Sequence, residues 1–92
     1  MRDMSEKEYT ADNDLIISIA GNVIKELYRA TEMNGPFASA HEGYAILLEE
    51  MDELKEEVWK KEKLRDKDKM RTEAIQIAAM AMRFVIDVCD KK

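Results

Sequence analysis

An all-α fold is predicted by three features of the 92-residue sequence. Only three Gly and one Pro punctuate it, 46% of its residues are hydrophobic against 38% charged, and its apolar positions recur at steps of three and four. Strands joined by hairpins would need turn residues every 8–12 positions or so, whereas the one compact Gly-Pro signal is Gly35-Pro36. A single domain over residues 1–92 is expected, because folding units run to about 100–150 residues and seldom fall below about 50.

The first helix is expected over residues 12–33, with residues 1–11 loosely ordered before it. Asp12, Asn13 and Asp14 are all capping types, and Ile16, Ile19, Val23 and Leu27 follow at helical spacing. Asn34-Gly35-Pro36 stops the helix, Asn and Gly being suited to a left-handed cap and Pro being unable to continue. A second helix over 39–62 opens on a capping box, Ser39-Ala40-His41-Glu42, in which Glu42 should reach back to the Ser39 amide. On a helical wheel Tyr44, Leu47, Met51, Leu54 and Val58 share one arc, and Glu42, Glu49, Glu50, Glu53 and Glu57 cluster beside it. The run KKEKLRDKDKMR, residues 60–71, reads as a loop or frayed junction. Asp66 or Asp68 caps a third helix over 67–90, apolar on nearly every side from Ala74 to Ile86.

Two neighbours cannot cover such a helix on all sides, since each packs along one stripe at about 8–10 Å. An oligomer is therefore expected, with two chains the simplest form. The net charge of −5 and pI near 4.9 oppose nucleic-acid binding, there being no positive field to displace counterions from phosphates. The longest apolar stretch, Ile77 to Met82, falls far short of the roughly 20 residues that span a bilayer. The opening Met1 to Asp14 has no apolar h-region, and Cys89 stands alone. A soluble, cytoplasmic protein without nucleic-acid or membrane partners is the expectation.

Chemistry is expected at the carboxylates. In the third helix Glu73, Gln76, Arg83 and Asp87 form one polar stripe through apolar surroundings, and Glu50 and Glu53 lie three apart on the second. If the stripes face each other, oxygen-bearing side chains converge and repel, and each must take up a proton or recruit a cation. Carboxylate and amide oxygens, with one His and no paired Cys, suit Mg²⁺ or Mn²⁺ better than Zn²⁺. A di-iron bundle would want Glu-x-x-His, which is absent. Salt bridges from Arg83 to those acids are the structural alternative. Packing is the expected use of Tyr44, Trp59 and the seven Met residues, and His41 and Cys89 carry no catalytic signature.

The run Glu49-Glu50-Met51-Asp52-Glu53, followed after nineteen residues by Glu73-Ala74-Ile75-Gln76, resembles the Glu-Glu-x-x-Glu and Glu-x-x-Asp signature of MazG-like, all-α nucleoside triphosphate pyrophosphohydrolases. The stretches HEGYAILLEEMDELKEEV and EAIQIAAMAMRFVID look similar to that family over residues 41–87, about half the chain. The resemblance implies a homodimer or dimer of dimers that holds Mg²⁺ beside a nucleoside triphosphate and cleaves between the α and β phosphates. It implies Glu50, Glu53 and Glu73 as metal ligands, with Glu49 orienting water or a second metal. Gln76 stands where the family has aspartate, which removes one negative charge and should weaken metal binding. Lys60 and Lys61, in the charged junction, are candidates for holding the triphosphate. The other reading is a non-catalytic helical dimerisation or nucleotide- or metal-binding module on the same scaffold.

Overall fold

A computed structural model describes residues 12–91. The expectation for residues 1–11 lies outside them, as does Lys92. Three helices follow in order: α1 (Asn13–Asn34), α2 (Ala40–Val58) and α3 (Lys67–Phe84). A 3-10 turn at Glu62–Leu64 sits in the second connection, and a π-helical turn, Val85–Cys89, continues α3. No strand occurs among the described residues.

Each helix boundary has a local cause. Asp12 occupies the N-cap of α1 without a side-chain cap bond. Gly35 ends α1 at φ 67° and ψ −176°, a conformation only glycine adopts cheaply, and its N–H donates to the Thr31 carbonyl at 2.9 Å. At α2 the Ser39 hydroxyl accepts from the Glu42 N–H at 3.1 Å, as the capping box requires. The Glu42 carboxylate, however, meets the N–H of Ala38 at 2.9 Å, one residue before the amide expected from the motif. Asp66 rather than Asp68 caps α3, accepting from the N–H groups of Asp68 and Lys69 at 2.9 and 3.1 Å.

The second helix stops at Val58, four residues short of the expected 62. Glu57, 1% exposed, explains the difference: its carboxylate accepts from Lys60 Nζ at 2.9 Å and from the Asp66 N–H at 2.8 Å. Arg65 Nε then donates to the Val58 and Lys60 carbonyls at 2.9 and 3.2 Å, satisfying acceptors that the helix end leaves open. Much of the charged run is thus a tied turn, and Lys67–Arg71 already belong to α3.

Helix α3 is the element on which both others pack. Ala30, Phe37, Ala79 and Met80 are fully buried, ringed by Val23, Leu27, Ile46, Leu47, Phe84 and Val88. The inward face of α2 differs from the apolar arc read on the wheel. Gly43, Ile46, Leu47, Glu50, Leu54 and Glu57 carry it, while Tyr44 and Met51 are exposed. Gly43 shows why this face turns inward: a Cβ there would lie 2.7 Å from the Phe84 ring and 3.0 Å from that of Phe37. Two aromatic rings seat directly on backbone, which admits only the side lacking a side chain.

Arg83 and Asp87 serve the first connection, not the acids. Arg83 is 3% exposed, donates to the Gly35 carbonyl and lies 4.3 Å from the centroid of the Phe37 ring. Asp87 accepts from the Phe37 N–H at 2.9 Å. Together they hold the turn after α1 against the end of α3. Much apolar surface still faces outward, including Leu15, Ile16, Ile17 and Ile19 on α1 and Met82, Val85 and Ile86 at the end of α3.

Two glycine substitutions test this packing. Gly43→Ala gains about 1 kcal/mol of helix propensity and loses about 1–3 kcal/mol to overpacking against Phe84, so a lower melting temperature is expected. Gly21→Ala, where a Cβ would meet nothing within 4 Å, is expected to raise it. Thermal unfolding followed by circular dichroism reads both.

Candidate metal centre

Helical spacing on two elements builds the centre. Glu50 and Glu53 are three apart on α2, Glu73 and Gln76 three apart on α3, and the packing of α3 on α2 turns the two pairs toward each other. One carboxylate oxygen from each of Glu50, Glu53 and Glu73 lies within 4.8 Å of the other two. Their exposure is graded: Glu73 is buried at 6%, Glu50 half-buried and Glu53 exposed. The centre therefore has a protein wall on the α3 side and opens to solvent past Glu53.

Gln76 completes the ring. With its amide nitrogen turned inward it donates to Glu50 Oε2 at 2.9 Å and to Glu73 Oε2 at 3.3 Å. With its oxygen inward it adds a fourth oxygen to the three carboxylates. A neutral amide can therefore hold the acids together by hydrogen bonds or join them around a cation, and aspartate could do only the second. Lys69, one turn before Glu73, is ion-paired with it, Nζ lying 3.6 Å from Glu73 Oε1.

The electrostatics register the crowding. Partial burial, followed by the charges of Glu53 and Glu73, pushes the Glu50 carboxyl up to about 7. Glu53 is raised as well, first by a hydrogen bond with the Glu73 carboxyl and then by its charge. One turn further along α2, Glu57 behaves in the opposite way, held below the ordinary range by the Lys60 ammonium and the Asp66 N–H. The two acids at the α3 contact are short of positive partners; the third has its own.

Three carboxylates and an amide form a set of hard oxygen donors, the chemistry suited to Mg²⁺ or Mn²⁺. Of the residues singled out in the sequence, Glu50, Glu53, Glu73 and Gln76 come together. Glu49, exposed, lies outside the ring but one helical turn before Glu53, on the solvent side. Lys60 is paired with Glu57, and Lys61 lines a separate surface cavity with Glu62, Lys63 and Lys67. His41, Tyr44 and Cys89 are exposed; so is Trp59, whose ring lies 5.5 Å from Lys55 Nζ and lines an apolar surface cavity with Leu48, Met51 and Leu54.

The helical wheel groups Glu57 with the acids beside the apolar arc, and the structure buries it. Its spacing from Glu50 and Glu53, steps of three and four, was a signal that all three share one side of the helix. A second feature missed from sequence is a cavity of about 240 Å³ between α1 and α3, lined by Lys25, Arg29, Arg71 and Gln76 among others. Compared with known protein families, curated proteins and solved structures, the chain matches none. No helix among the described residues is long and apolar enough to cross a membrane.

The raised carboxyls fix the sign of a pH effect. Glu50 titrates near 7 in the folded chain against about 4.5 ordinarily, so between those values the folded state holds more protons than the unfolded one. Stability must fall as pH rises through that window, and Glu53 adds to the fall. The lowered Glu57 acts elsewhere, its stabilisation being lost only as pH drops below the ordinary carboxylate range. Metal-free protein in chelator is thus expected to melt at a lower temperature at pH 8 than at pH 5.5. Glu50→Gln should remove most of that difference, as read by thermal melts across the range.

Proposed function

We propose that the chain is a Mg²⁺-dependent nucleoside triphosphate pyrophosphohydrolase, working as a homodimer or a dimer of dimers. The observation that carries this reading is the ring of Glu50, Glu53 and Glu73 closed by Gln76. Three like charges drawn within 4.8 Å on two packed helices form an arrangement that a divalent cation stabilises. The residues fall in the two-part pattern that resembles the MazG-like family. The exposed apolar side chains of α1 and of the end of α3 support association, because soluble chains seldom leave contiguous apolar patches beyond a few hundred Å².

In this reading Glu50, Glu53, Glu73 and Gln76 are the residues that would hold the ion. A Mg²⁺ held there would supply charge neutralisation of phosphate oxygens and a lower cost of generating hydroxide from water. Glu73, walled by protein, fixes the position of the centre, and Glu53 at the rim faces the incoming phosphates. Glu49, one turn before Glu53, orients the attacking water and accepts its proton. The new bond joins water oxygen to the α phosphorus and the α–β bridging bond breaks, leaving a nucleoside monophosphate and pyrophosphate.

A second reading is favoured by Gln76 itself, which supplies no charge where the related signature has aspartate: a non-catalytic helical module on the same scaffold. The two separate cleanly. Pyrophosphate release from a panel of ribo- and deoxyribonucleoside triphosphates with Mg²⁺ or Mn²⁺ is the expected result, with Glu50→Gln and Glu53→Gln each losing about 100-fold or more. Gln76→Asp is expected to tighten Mg²⁺ binding on titration calorimetry. An absence of turnover across the panel, together with no metal-dependent heat, would leave only the module.

A further inference from the structure

We propose that the cavity between α1 and α3 is a phosphoanhydride-binding site in which Lys25 and Arg71 hold the β,γ-pyrophosphate end of a triphosphate, beside the Arg29–Glu26 ion pair. The assignment of that end rests on the nucleotide reading above; the anion site itself rests on the cavity. Lys25 and Arg29 stand one turn apart on α1, and Arg71 faces them from the second turn of α3. Three exposed cationic side chains, two of them unpaired among the described residues, thus line about 240 Å³ of space, joined by the neutral hydrogen-bonding groups of Asn22 and Thr72. In a chain of net charge −5 this is a local reversal of sign.

Among the described residues one carboxylate lines the cavity, that of Glu26, and it is committed to Arg29, leaving Lys25 and Arg71 as the uncompensated charges. It accepts from Arg29 Nε at 2.9 Å and from Arg29 Nη2 at 2.5 Å, which holds the guanidinium in place. Lys25 and Arg71 have no ion-pair partner among the described residues. Gln76 belongs to both the cavity and the ring of acids. An anion seated against Lys25 and Arg71 is therefore separated from the carboxylates by the Gln76 side chain, the span that a polyphosphate bridging a cation and a basic wall would cover. Arg71 presents a planar, multiply donating group suited to phosphate oxygens and Lys25 adds a point charge, whereas the Arg29 donors are taken by Glu26 and Met33. When the α–β bond breaks, its electron pair stays on the departing pyrophosphate, and Lys25 and Arg71 stabilise that charge. The cavity answers the question of phosphate binding better than the junction lysines, since Lys60 is paired with Glu57.

Titration calorimetry of the full chain with inorganic pyrophosphate, in chelator and again with Mg²⁺, tests the site. Binding that weakens with added salt is expected, together with a loss of about tenfold or more in Lys25→Ala and in Arg71→Ala. Arg71→Lys should recover part of it, and Lys63→Ala, on the other cavity, should change nothing. Melting temperatures near that of the unaltered chain guard against a folding defect. In turnover assays the two alanine variants are expected to raise KM for nucleoside triphosphate about tenfold while Mg²⁺ affinity stays unchanged. Orthophosphate provides the comparison for a site that takes free phosphate only; binding it as tightly as pyrophosphate would overturn the anhydride assignment. No pyrophosphate binding with or without Mg²⁺, or equal losses in Lys63→Ala, would overturn the site altogether. Turnover with unaltered KM in both alanine variants would sink this inference and leave the nucleotide reading standing. Pyrophosphate binding lost in those variants, in a chain without turnover, would do the reverse.

Discussion

The rest of the structure depends on how α3 disposes of its buried polar side chains. A helix apolar on most sides can bury Glu, Gln and Arg only where partners wait, because each unpaired buried polar group costs about 1–3 kcal/mol. Its N-terminal half meets the acids of α2 through Glu73 and Gln76. Its C-terminal half meets backbone, Arg83 taking the Gly35 carbonyl and Asp87 the Phe37 N–H. One stripe therefore does two jobs, at the cost of an Arg83 Nε that is buried without a hydrogen-bond partner among the described residues.

The division between the two ends is also a division between rigidity and reactivity. At the Arg83 end, charge is matched by a carbonyl and an aromatic ring, and the turn after α1 is fixed against the bundle. Glu57 does the same for the second connection, with Lys60 and Asp66 as partners. Between these two clamped turns lies the ring of Glu50, Glu53 and Glu73, where three acids are held together and Lys69 pairs with Glu73 alone. Rigid surroundings are what keep such a cluster from relaxing apart, and a neutral glutamine is the group that tolerates it with or without a cation. The basic cavity on the far side of Gln76 sets a field of opposite sign within reach of the same side chain.

Helix type and approximate extent were legible because they depend on local chemistry. Gly35, the Ser39 hydroxyl and Asp66 mark their boundaries through bonds to residues within four positions. The ring of acids was legible for a similar reason: Glu50 and Glu53, and Glu73 and Gln76, are each three apart on one helix, and only the facing of two helices had to be supposed. The inward face of α2 was not legible. The wheel ranks residues by polarity, whereas Gly43 turns that face inward by what it lacks, and Glu50 and Glu57 follow as its neighbours.

By itself, then, the sequence determined that the chain is all-α, where its first two helices begin, and that four oxygen-bearing side chains stand at spacings able to converge. These are consequences of backbone hydrogen bonding and of periodicity, which act within a few residues. Tertiary structure alone decided that Arg83 serves a carbonyl instead of a carboxylate, that Glu57 is buried at 1% exposure, and that Lys25, Arg29 and Arg71 share a cavity across two helices. Each of those outcomes joins groups far apart in the chain, and their meeting is set by the angle and register at which helices pack, which no local pattern encodes.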